Sequence, residues 1–347
     1  MCRLFFKFVL FITLFTNIQC SYSKEDINKN KLSHTVIRAA IDIGSGATKL
    51  RIAEVDPLEN RVKKILFDEA FTVPYQEDLE KSSNRCFGKN VMQTGLDAMK
   101  KCKEISLKYK ASKIIGVATE SFRYAANAKD FIKDIYDKTG IQVHVVDQDL
   151  EGKLAFKAVA SQVETPATEI IVWDIGGGSL QLTSFSSSDQ YMIYRGNYAS
   201  IPFKNDVIKN LQGKDLSNVN TPNPMTSEEI FISRFKARKV AFNVGEDFVK
   251  KINQKSTRII GVGSIFNYRI LPLVKKRSPY YREELFHAVE KLKNLDDVDV
   301  GGGDFANVAV TNPILILGFM EMLDIEQMEI LDVNNADGSF IYEDFWK

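Results

Sequence analysis

Two similar segments of the chain each contain an apolar strand, an Asp-Ile-Gly turn and a second strand. The first reads VIRAAIDIGSGATKLRIAEV over residues 36–55, and the second reads EIIVWDIGGGSLQLTSF over residues 169–185. The two Asp-Ile-Gly triplets lie about 130 residues apart in a chain of 347 residues, which indicates an internal duplication. The sequence therefore predicts two related halves, each of which begins with a strand hairpin.

Alternating strands and helices are predicted around the two hairpins. After the first hairpin, the pattern gives a strand over 63–73, an amphipathic helix over 91–109, a buried strand over 112–119, a helix over 130–138 closed by Gly140, a strand over 141–146 and a helix over 148–162. After the second, it gives a helical stretch over 227–251, a strand and turn over 258–264 and an apolar helix over 313–323, with 211–225 as an unassigned loop. Such alternation is typical of an α/β fold.

The break at Thr165-Pro166 predicts one lobe over 34–165 and another over 166–347. The last helix of the second lobe could pack back on the first lobe.

The composition is that of a globular enzyme or binding protein. Apolar residues make up 44% of the chain and charged residues 26%, and 46 Lys and Arg are balanced by 45 Asp and Glu for a formal charge of +1. A nucleic-acid-binding protein would carry a basic excess or a basic stripe, so we expect no nucleic-acid partner. The amino-acid composition is also unlike that of a disordered or a disulfide-dense chain.

The first 23 residues have the pattern of a secretory signal peptide. A basic start precedes an apolar run over residues 8–15, which is too short to cross a bilayer, since a transmembrane helix needs about 20 apolar residues. Small residues at 21–23 suit cleavage, whereas Cys20 would be the lipid attachment site of a bacterial lipoprotein. We therefore expect a periplasmic or secreted protein that contacts a membrane only if Cys20 is lipidated.

Two cysteines, Cys86 and Cys102, follow the predicted signal peptide. An even number of cysteines in an oxidising compartment allows a disulfide between them, and two separate thiols are the alternative. Neither cysteine lies near a histidine or a second cysteine pair, which argues against a zinc site.

The two glycine turns have the composition of phosphate-binding loops. Glycine permits the dihedral angles and the close approach that expose several backbone N–H groups on one tight loop, and such loops bind anions. Asp42 and Asp174 end the two strands and would repel a phosphate unless a cation lies between them. Because Mg²⁺ binds one or two carboxylates together with substrate phosphate oxygens, the sequence predicts a Mg²⁺–phosphate site with Asp42 and Asp174 as metal ligands. Lys49 is expected at the surface. The expected phosphate contacts are Gly44, Ser45, Gly46, Gly176, Gly177, Gly178 and Ser179.

Four segments carry a family resemblance. AIDIGSGATKL and WDIGGGSLQL resemble the two phosphate loops of the acetate/sugar kinase–Hsp70–actin superfamily. ATESFRYAANAKDFI over 118–132 and TGIQVHVVDQDLEGKLAFKAV over 139–159 are similar to the exopolyphosphatase / guanosine pentaphosphate phosphohydrolase (Ppx/GppA) family. The resemblance runs from residue 36 to residue 347. It implies an α/β fold of two actin-like (ribonuclease H-like) lobes with an interdomain cleft.

The resemblance also implies site residues. Glu151 matches the family's general base, which activates the attacking water, and Arg123 matches an arginine that meets a phosphate. Hydrolysis of a phosphoanhydride needs positioning, charge neutralisation and one such carboxylate. Simpler interpretations remain open: Glu151 is an ordinary acid in a first helical turn, Arg123 is solvated, and Asp174 only caps its turn.

Several positions depart from the family pattern. Gly46 and Ala47 replace an Asn and a Ser that supply donors in the first loop. Gln181 replaces a Glu near the metal, so that only a neutral carbonyl is left there as a metal ligand. Gln181 and the Glu151-Gly152 pair are closer to the apyrases, which are nucleoside di- and triphosphate hydrolases of the same superfamily.

These observations together predict a secreted phosphoanhydride hydrolase. It would release terminal phosphate from inorganic polyphosphate, with Mg²⁺ as cofactor and Glu151 as general base. The alternatives are an apyrase-like nucleotide hydrolase and a degenerate phosphate-binding protein without turnover. Export argues against a cytosolic signalling nucleotide as the main substrate, and a homodimer is left open.

Overall fold

The computed structural model describes residues 35–186 and 190–347. The predicted signal peptide, residues 1–23, and its Cys20 lie outside the described residues. Within the described ranges, no helix combines the length and the apolar composition needed to cross a bilayer. These ranges form two β-sheets surrounded by helices.

The first sheet has five strands. They are β1 (Val36–Ile43), β2 (Ala47–Asp56), β3 (Arg61–Thr72), β4 (Lys113–Ala118) and β5 (Gln142–Val145), in the order β3-β2-β1-β4-β5. The first three form an antiparallel meander, whereas β4 and β5 run parallel to β1. The helices of this half are α1 (Tyr75–Lys81), α2 (Lys89–Lys108), α3 (Glu120–Tyr124), α4 (Ala128–Thr139) and α5 (Gln148–Ala160).

The second sheet has six strands and repeats the topology of the first. They are β6 (Ile170–Ile175), β7 (Leu180–Phe185), β8 (Tyr191–Gly196), β9 (Arg258–Val262), β10 (Tyr280–Tyr281) and β11 (Gln327–Leu331), in the order β10-β11-β9-β6-β7-β8. The helices are α6 (Ser200–Asp206), α7 (Ser227–Ala241), α8 (Glu246–Ile252), α9 (Leu271–Leu273), α10 (Arg282–Glu290), α11 (Thr311–Met322) and α12 (Asn335–Phe340). Strand β10 is an addition at one edge. The other five strands follow the order of the first sheet, with β6 in the place of β1. The predicted α/β fold with two ribonuclease H-like lobes is confirmed.

The two glycine turns join hairpins of the same register. Asp42 pairs with Lys49 across the first hairpin, and Asp174 pairs with Gln181 across the second. In each turn, the amide of the glycine after Asp-Ile donates to the carbonyl three residues later, at 3.0 and 2.9 Å. The duplication seen in the sequence is therefore a duplication of backbone geometry.

One predicted helix is split in the structure. The stretch over 227–251 forms α7 and α8 as separate helices, because Gly245 is the N-cap residue of α8 and its ψ of 157° is not helical. Residues 212–225, which fall in the loop that the sequence left unassigned, lie outside the helices and strands.

The two cysteines within the described ranges are free thiols. Cys102 is buried in α2, and burial raises the pKa of its thiol to about 12. Cys86 lies in the loop before α2 and is partly exposed. Of the two alternatives, the structure therefore has separate thiols rather than a disulfide.

The C-terminal helix α12 packs against the first half of the molecule. A Cβ on Gly338 would overlap the backbone carbonyl of Leu154 in α5. Arg51 of β2 donates a hydrogen bond to the Asp337 carboxylate at 2.5 Å. Helix α12 therefore fixes α5 relative to the first sheet.

The Gly338 contact predicts a local stability effect. In Gly338→Ala the added carbon meets backbone, which no side-chain rotation can relieve, so we expect the free energy of unfolding to fall by about 1–3 kcal/mol. Urea denaturation measures the change. Gly245→Ala is the control, because an added Cβ there has no neighbour within 4 Å. Equal losses in the two variants would contradict the packing described here.

Candidate active site

Both glycine turns open into one cavity of about 1020 Å³. The loops after β4 and β9 also line it, so the carboxyl ends of parallel strands from both sheets surround it. Ligands bind at this edge of open α/β sheets. The predicted site residues that line the cavity are Asp42, Gly44, Ser45, Gly46, Glu151, Asp174, Gly176, Gly177 and Ser179. Those that do not line it are Arg123, Gly178 and Gln181.

The two turns approach each other closely. A Cβ on Gly177 would lie 2.6 Å from the Cβ of Ser45, and a Cβ on Gly178 would lie 2.6 Å from the Cγ of Glu120. Both positions therefore require glycine. The amides of Ser45 and Gly177 have no backbone carbonyl as acceptor among the described residues. They remain available to an anion in the cavity.

Two aspartates end the equivalent strands of the two sheets. Burial, and next the charge of Asp42, raise the pKa of Asp174 to about 7. Asp42 is itself buried, and its Oδ1 atom has no hydrogen-bond partner among the described residues. The two carboxylates are therefore close enough to repel each other, and one of them has an unpartnered oxygen.

This pair fits a divalent cation. Among the described residues, no group of three or more His, Cys, Asp and Glu side chains is arranged to hold a metal ion. Mg²⁺ does not need such a group, because it binds to one or two carboxylates and completes its shell with water and phosphate oxygens. Asp42 and Asp174 supply that donor set, and the unpartnered Oδ1 of Asp42 faces no competing donor.

Lys49 belongs to the cavity, and the expectation that it lies at the surface is wrong. Its Nζ atom lies 3.5 Å from Oδ2 of Asp42, and its side chain is 18% exposed. Directly opposed residues of an antiparallel pair place their side chains on the same face, and Lys49 is opposite Asp42. The hairpin register that the sequence itself indicates could have located this lysine.

Glu151 lies in the first turn of α5 and is buried at the cavity wall. Asp147 caps this helix, since its carboxylate accepts a hydrogen bond from the Leu150 amide at 2.8 Å. Burial raises the pKa of Glu151 to about 8, and the charge of Asp174 adds to this effect while Arg123 opposes it. A carboxyl group with a pKa near neutrality can accept a proton from water.

Arg123 binds to carboxylates in this structure rather than pointing into the cavity. Its guanidinium donates to Glu151 Oε2 at 2.8 Å, to Glu120 Oε2 at 2.5 Å and to Ser179 Oγ at 3.2 Å. It therefore orients Glu151, and its predicted contact with a phosphate stays a prediction. Sequence reasoning did not single out Glu120, although its position three residues before Arg123 on a helix is a pairing signal.

Gln181 is a second partner of Glu151. Its Nε2 atom donates to Glu151 Oε2 at 3.4 Å, and its side chain is buried. Gln181 and Arg123 therefore approach the same oxygen of Glu151 from different elements. The predicted role of Gln181 as a metal ligand stays a prediction.

The outer part of the cavity contains groups that no motif indicated. Tyr268 and Phe305 line it and are 66% and 41% exposed. The Arg269 guanidinium lies 5.7 Å from the centroid of the Phe305 ring. A run of three glycines at 301–303, all with positive φ, comes shortly before Phe305. That run was the sequence signal for this loop.

Comparison with known proteins agrees with the resemblance seen in the sequence. The model of the Ppx/GppA phosphatase family matches residues 51–194, and the predicted resemblance is confirmed. The bifunctional 3-dehydroquinate synthase/phosphatase of Fusobacterium nucleatum is 30% identical over 184 residues, which are 50% of this chain and 27% of that protein. Retrograde regulation protein 2 of Saccharomyces cerevisiae is 25% identical over 170 residues, which are 47% of this chain and 28% of that protein. The chain thus spans little more than a quarter of the length of these curated relatives.

Solved structures of low sequence identity share the fold. The Ppx/GppA enzyme of Aquifex aeolicus is 18% identical, with a TM-score of 0.68 over 88% of this chain and 99% of that chain. An exopolyphosphatase from Cytophaga hutchinsonii is 18% identical, with a TM-score of 0.67 over 87% of this chain and 96% of that chain. These likenesses extend over both sheets and support the two-lobed architecture.

The contacts of Arg123 predict how Glu151 titrates. In Arg123→Gln the cation that lowers the pKa of Glu151 is lost, so we expect Glu151 to titrate at higher pH than in the unmodified protein. Carboxyl ¹³C NMR of glutamate-labelled protein measures this titration. Arg195→Gln is the control, because Arg195 pairs with Asp149 on the more exposed side of α5. An unchanged Glu151 titration in Arg123→Gln would contradict the assigned contact.

Proposed function

We propose, from the match of residues 51–194 to the Ppx/GppA phosphatase family and from the geometry of the cavity, that this chain hydrolyses phosphoanhydride bonds. The preferred substrate class is inorganic polyphosphate, from which terminal phosphate is released. One observation carries the proposal: Glu151 is a buried carboxyl group with a raised pKa in the cavity that both glycine turns line.

The proposed reaction assigns a step to each group of residues. Glu151 accepts a proton from the attacking water, while Arg123 and Gln181 hold its carboxylate in place. Backbone amides of the two turns, such as those of Ser45 and Gly177, donate to phosphate oxygens. A magnesium ion bound by Asp42 and Asp174 would neutralise charge on the phosphates.

Lys49 has a role in the same proposal. Its ammonium group lies 3.5 Å from Asp42, whereas Arg51 is bound to Asp337 and Asp68, and Arg123 is bound to glutamates. A fixed cation at this point stabilises the negative charge that moves to the phosphate oxygens during the reaction. Lys49 therefore binds the terminal phosphate in the proposed complex.

A nucleotide is the second candidate substrate. The aromatic side chains of Tyr268 and Phe305 and the guanidinium of Arg269 lie together along the outer cavity. Aromatic rings and arginine planes are surfaces on which nucleobases stack. A nucleoside di- or triphosphate would then place its phosphates at the turns and its base at this aromatic group.

Export and the division into lobes remain part of the proposal. A signal peptide over residues 1–23 would make the protein periplasmic or secreted, with lipidation of Cys20 as the route to a membrane. The lobes over 34–165 and 166–347 would each supply one turn to the cavity.

Glu151→Gln tests the function and the mechanism together. The amide cannot accept the proton, so we expect phosphate release to fall by about 10²–10⁴. Release from polyphosphate, ATP and ADP is measured with Mg²⁺ for the unmodified protein and this variant.

The control is Asp149→Asn, on the more exposed side of the same helix, which should retain activity. Release from ATP alone would favour the nucleotide hydrolase, no release from any substrate would leave a binding protein, and full activity of Glu151→Gln would exclude Glu151 as the base.

Lys49→Gln tests the electrostatic role of the lysine. Gln181 is the equivalent of Lys49 in the second hairpin, so this variant makes the two hairpins alike at this position. We expect kcat to fall by about 10²–10³, because the positive charge is lost. Lys49→Arg should recover part of the loss, because it restores the positive charge. Lys64→Gln, at an exposed site on β3, is the control. A kcat that is unchanged in Lys49→Gln would contradict the assignment.

A further inference from the structure

Helix α7 presents an exposed row of phenylalanines. Phe231, Phe235 and Phe242 are 61%, 53% and 74% exposed. They are three of the four phenylalanines with exposed side chains among the described residues. Spacings of four and seven residues place them on one side of a helix and its last turn. This row is independent of the cavity, which it does not line.

The opposite side of α7 is buried against the rest of the protein. Ile230, Ala237 and Ala241 are buried. Helix α11 packs so closely there that a Cβ on Gly318 would lie 2.5 Å from the Cβ of Ala237. The helix cannot rotate to bury its phenylalanines without losing this contact. The exposed row is therefore a fixed surface feature.

Two charged residues continue the row at heptad-like positions. Glu228 and Arg238 are exposed, and together with the phenylalanines they give the series 228, 231, 235, 238 and 242, in which steps of three and four alternate. Such steps define one face of a helix that packs on another helix. Neither charged side chain has an ion-pair partner within the described part of the chain.

We propose that two copies of this chain associate through this face of α7, with the two helices antiparallel about a two-fold axis. In the register that places Phe231 of one copy opposite Phe235 of the other, Glu228 lies opposite Arg238 at both ends. The face is then self-complementary, as an isologous interface requires. In this register Phe231 and Phe235 form the two central pairs and Glu228 and Arg238 the two flanking pairs, while Phe242 comes opposite Pro224, just before the partner helix begins.

The charge pattern favours a second copy over other occupants. An anionic lipid surface attracts a basic face with apolar residues, but Glu228 would be repelled at one end of this row. A second copy satisfies the acidic and the basic end at once, and opposite charges at the rim set the register. The first turn of α7 is acidic and its last turn is basic, which also favours an antiparallel pair.

The oligomeric state tests the pairing. We expect the purified protein to dimerise with concentration in analytical ultracentrifugation, with a dissociation constant of about 1–100 μM, since the face is smaller than a standard interface. Phe235→Asp should give a monomer with an unchanged circular dichroism spectrum. Tyr136→Asp is the control, because Tyr136 is 56% exposed on α4 and apart from this face.

A charge exchange tests the register. Glu228→Arg and Arg238→Glu each place like charges opposite each other, and we expect each to weaken the dimer by about 10-fold or more. The double variant restores opposite charges and should recover dimerisation. A protein that stays monomeric to about 100 μM would overturn the proposal. So would a dimer that Phe235→Asp leaves intact, or a double variant no better than the single ones.

Discussion

The close approach of the two glycine turns is the constraint on which the site depends. Ser45 reaches Gly177 only because the second turn has no side chain at that position. Each turn is fixed by an antiparallel hairpin of the same register, and each hairpin is paired to the parallel strands of its own sheet. A side chain at Gly177 would separate the turns and, with them, the two walls of the cavity. The duplicated hairpin therefore does more than repeat a fold, since the two copies complete one site.

The cavity holds buried carboxyl groups that the rest of the structure only partly neutralises. Burial raises the pKa of Glu151 to about 8 and that of Asp174 to about 7. The folded protein thus binds these protons up to a higher pH than the unfolded chain does. Their contribution to the free energy of unfolding is therefore fully present below the ordinary pKa values of 4.5 and 3.8, and it is lost progressively as the pH rises to about 7 to 8. Arg123 lowers the pKa of Glu151 and Lys49 lowers that of Asp174, so both reduce the free-energy cost of ionising these buried carboxyl groups. A bound cation would reduce this cost further.

The sequence predicted the hairpins and the two aspartates from local pattern, whereas Glu151 was singled out by the family resemblance. Lys49 was expected at the surface, but the register across the hairpin puts it opposite Asp42 and in the cavity. The partnership of Arg123 with Glu120 and Glu151 depends on tertiary approach, and no spacing rule reveals which carboxylate an arginine will choose. The exposed face of α7 could not be predicted for the same reason. The spacing of apolar residues along the helix does not show which of its sides packs against the rest of the protein.

The charge of the cavity bears on the choice between the two candidate substrates. Nine carboxylate side chains and three cationic ones line it, and Asp297 and Asp304 lie on the loops that frame its outer part beside Phe305. Like charge along a cleft lowers the local concentration and the association rate of a charged ligand. Each further phosphate of a long polyphosphate inside the cavity adds to this repulsion, whereas a nucleotide brings only two or three phosphates and a base. Within the polyphosphate class proposed above, the acidic lining therefore favours a short phosphate chain, entering with bound cations, over a long one.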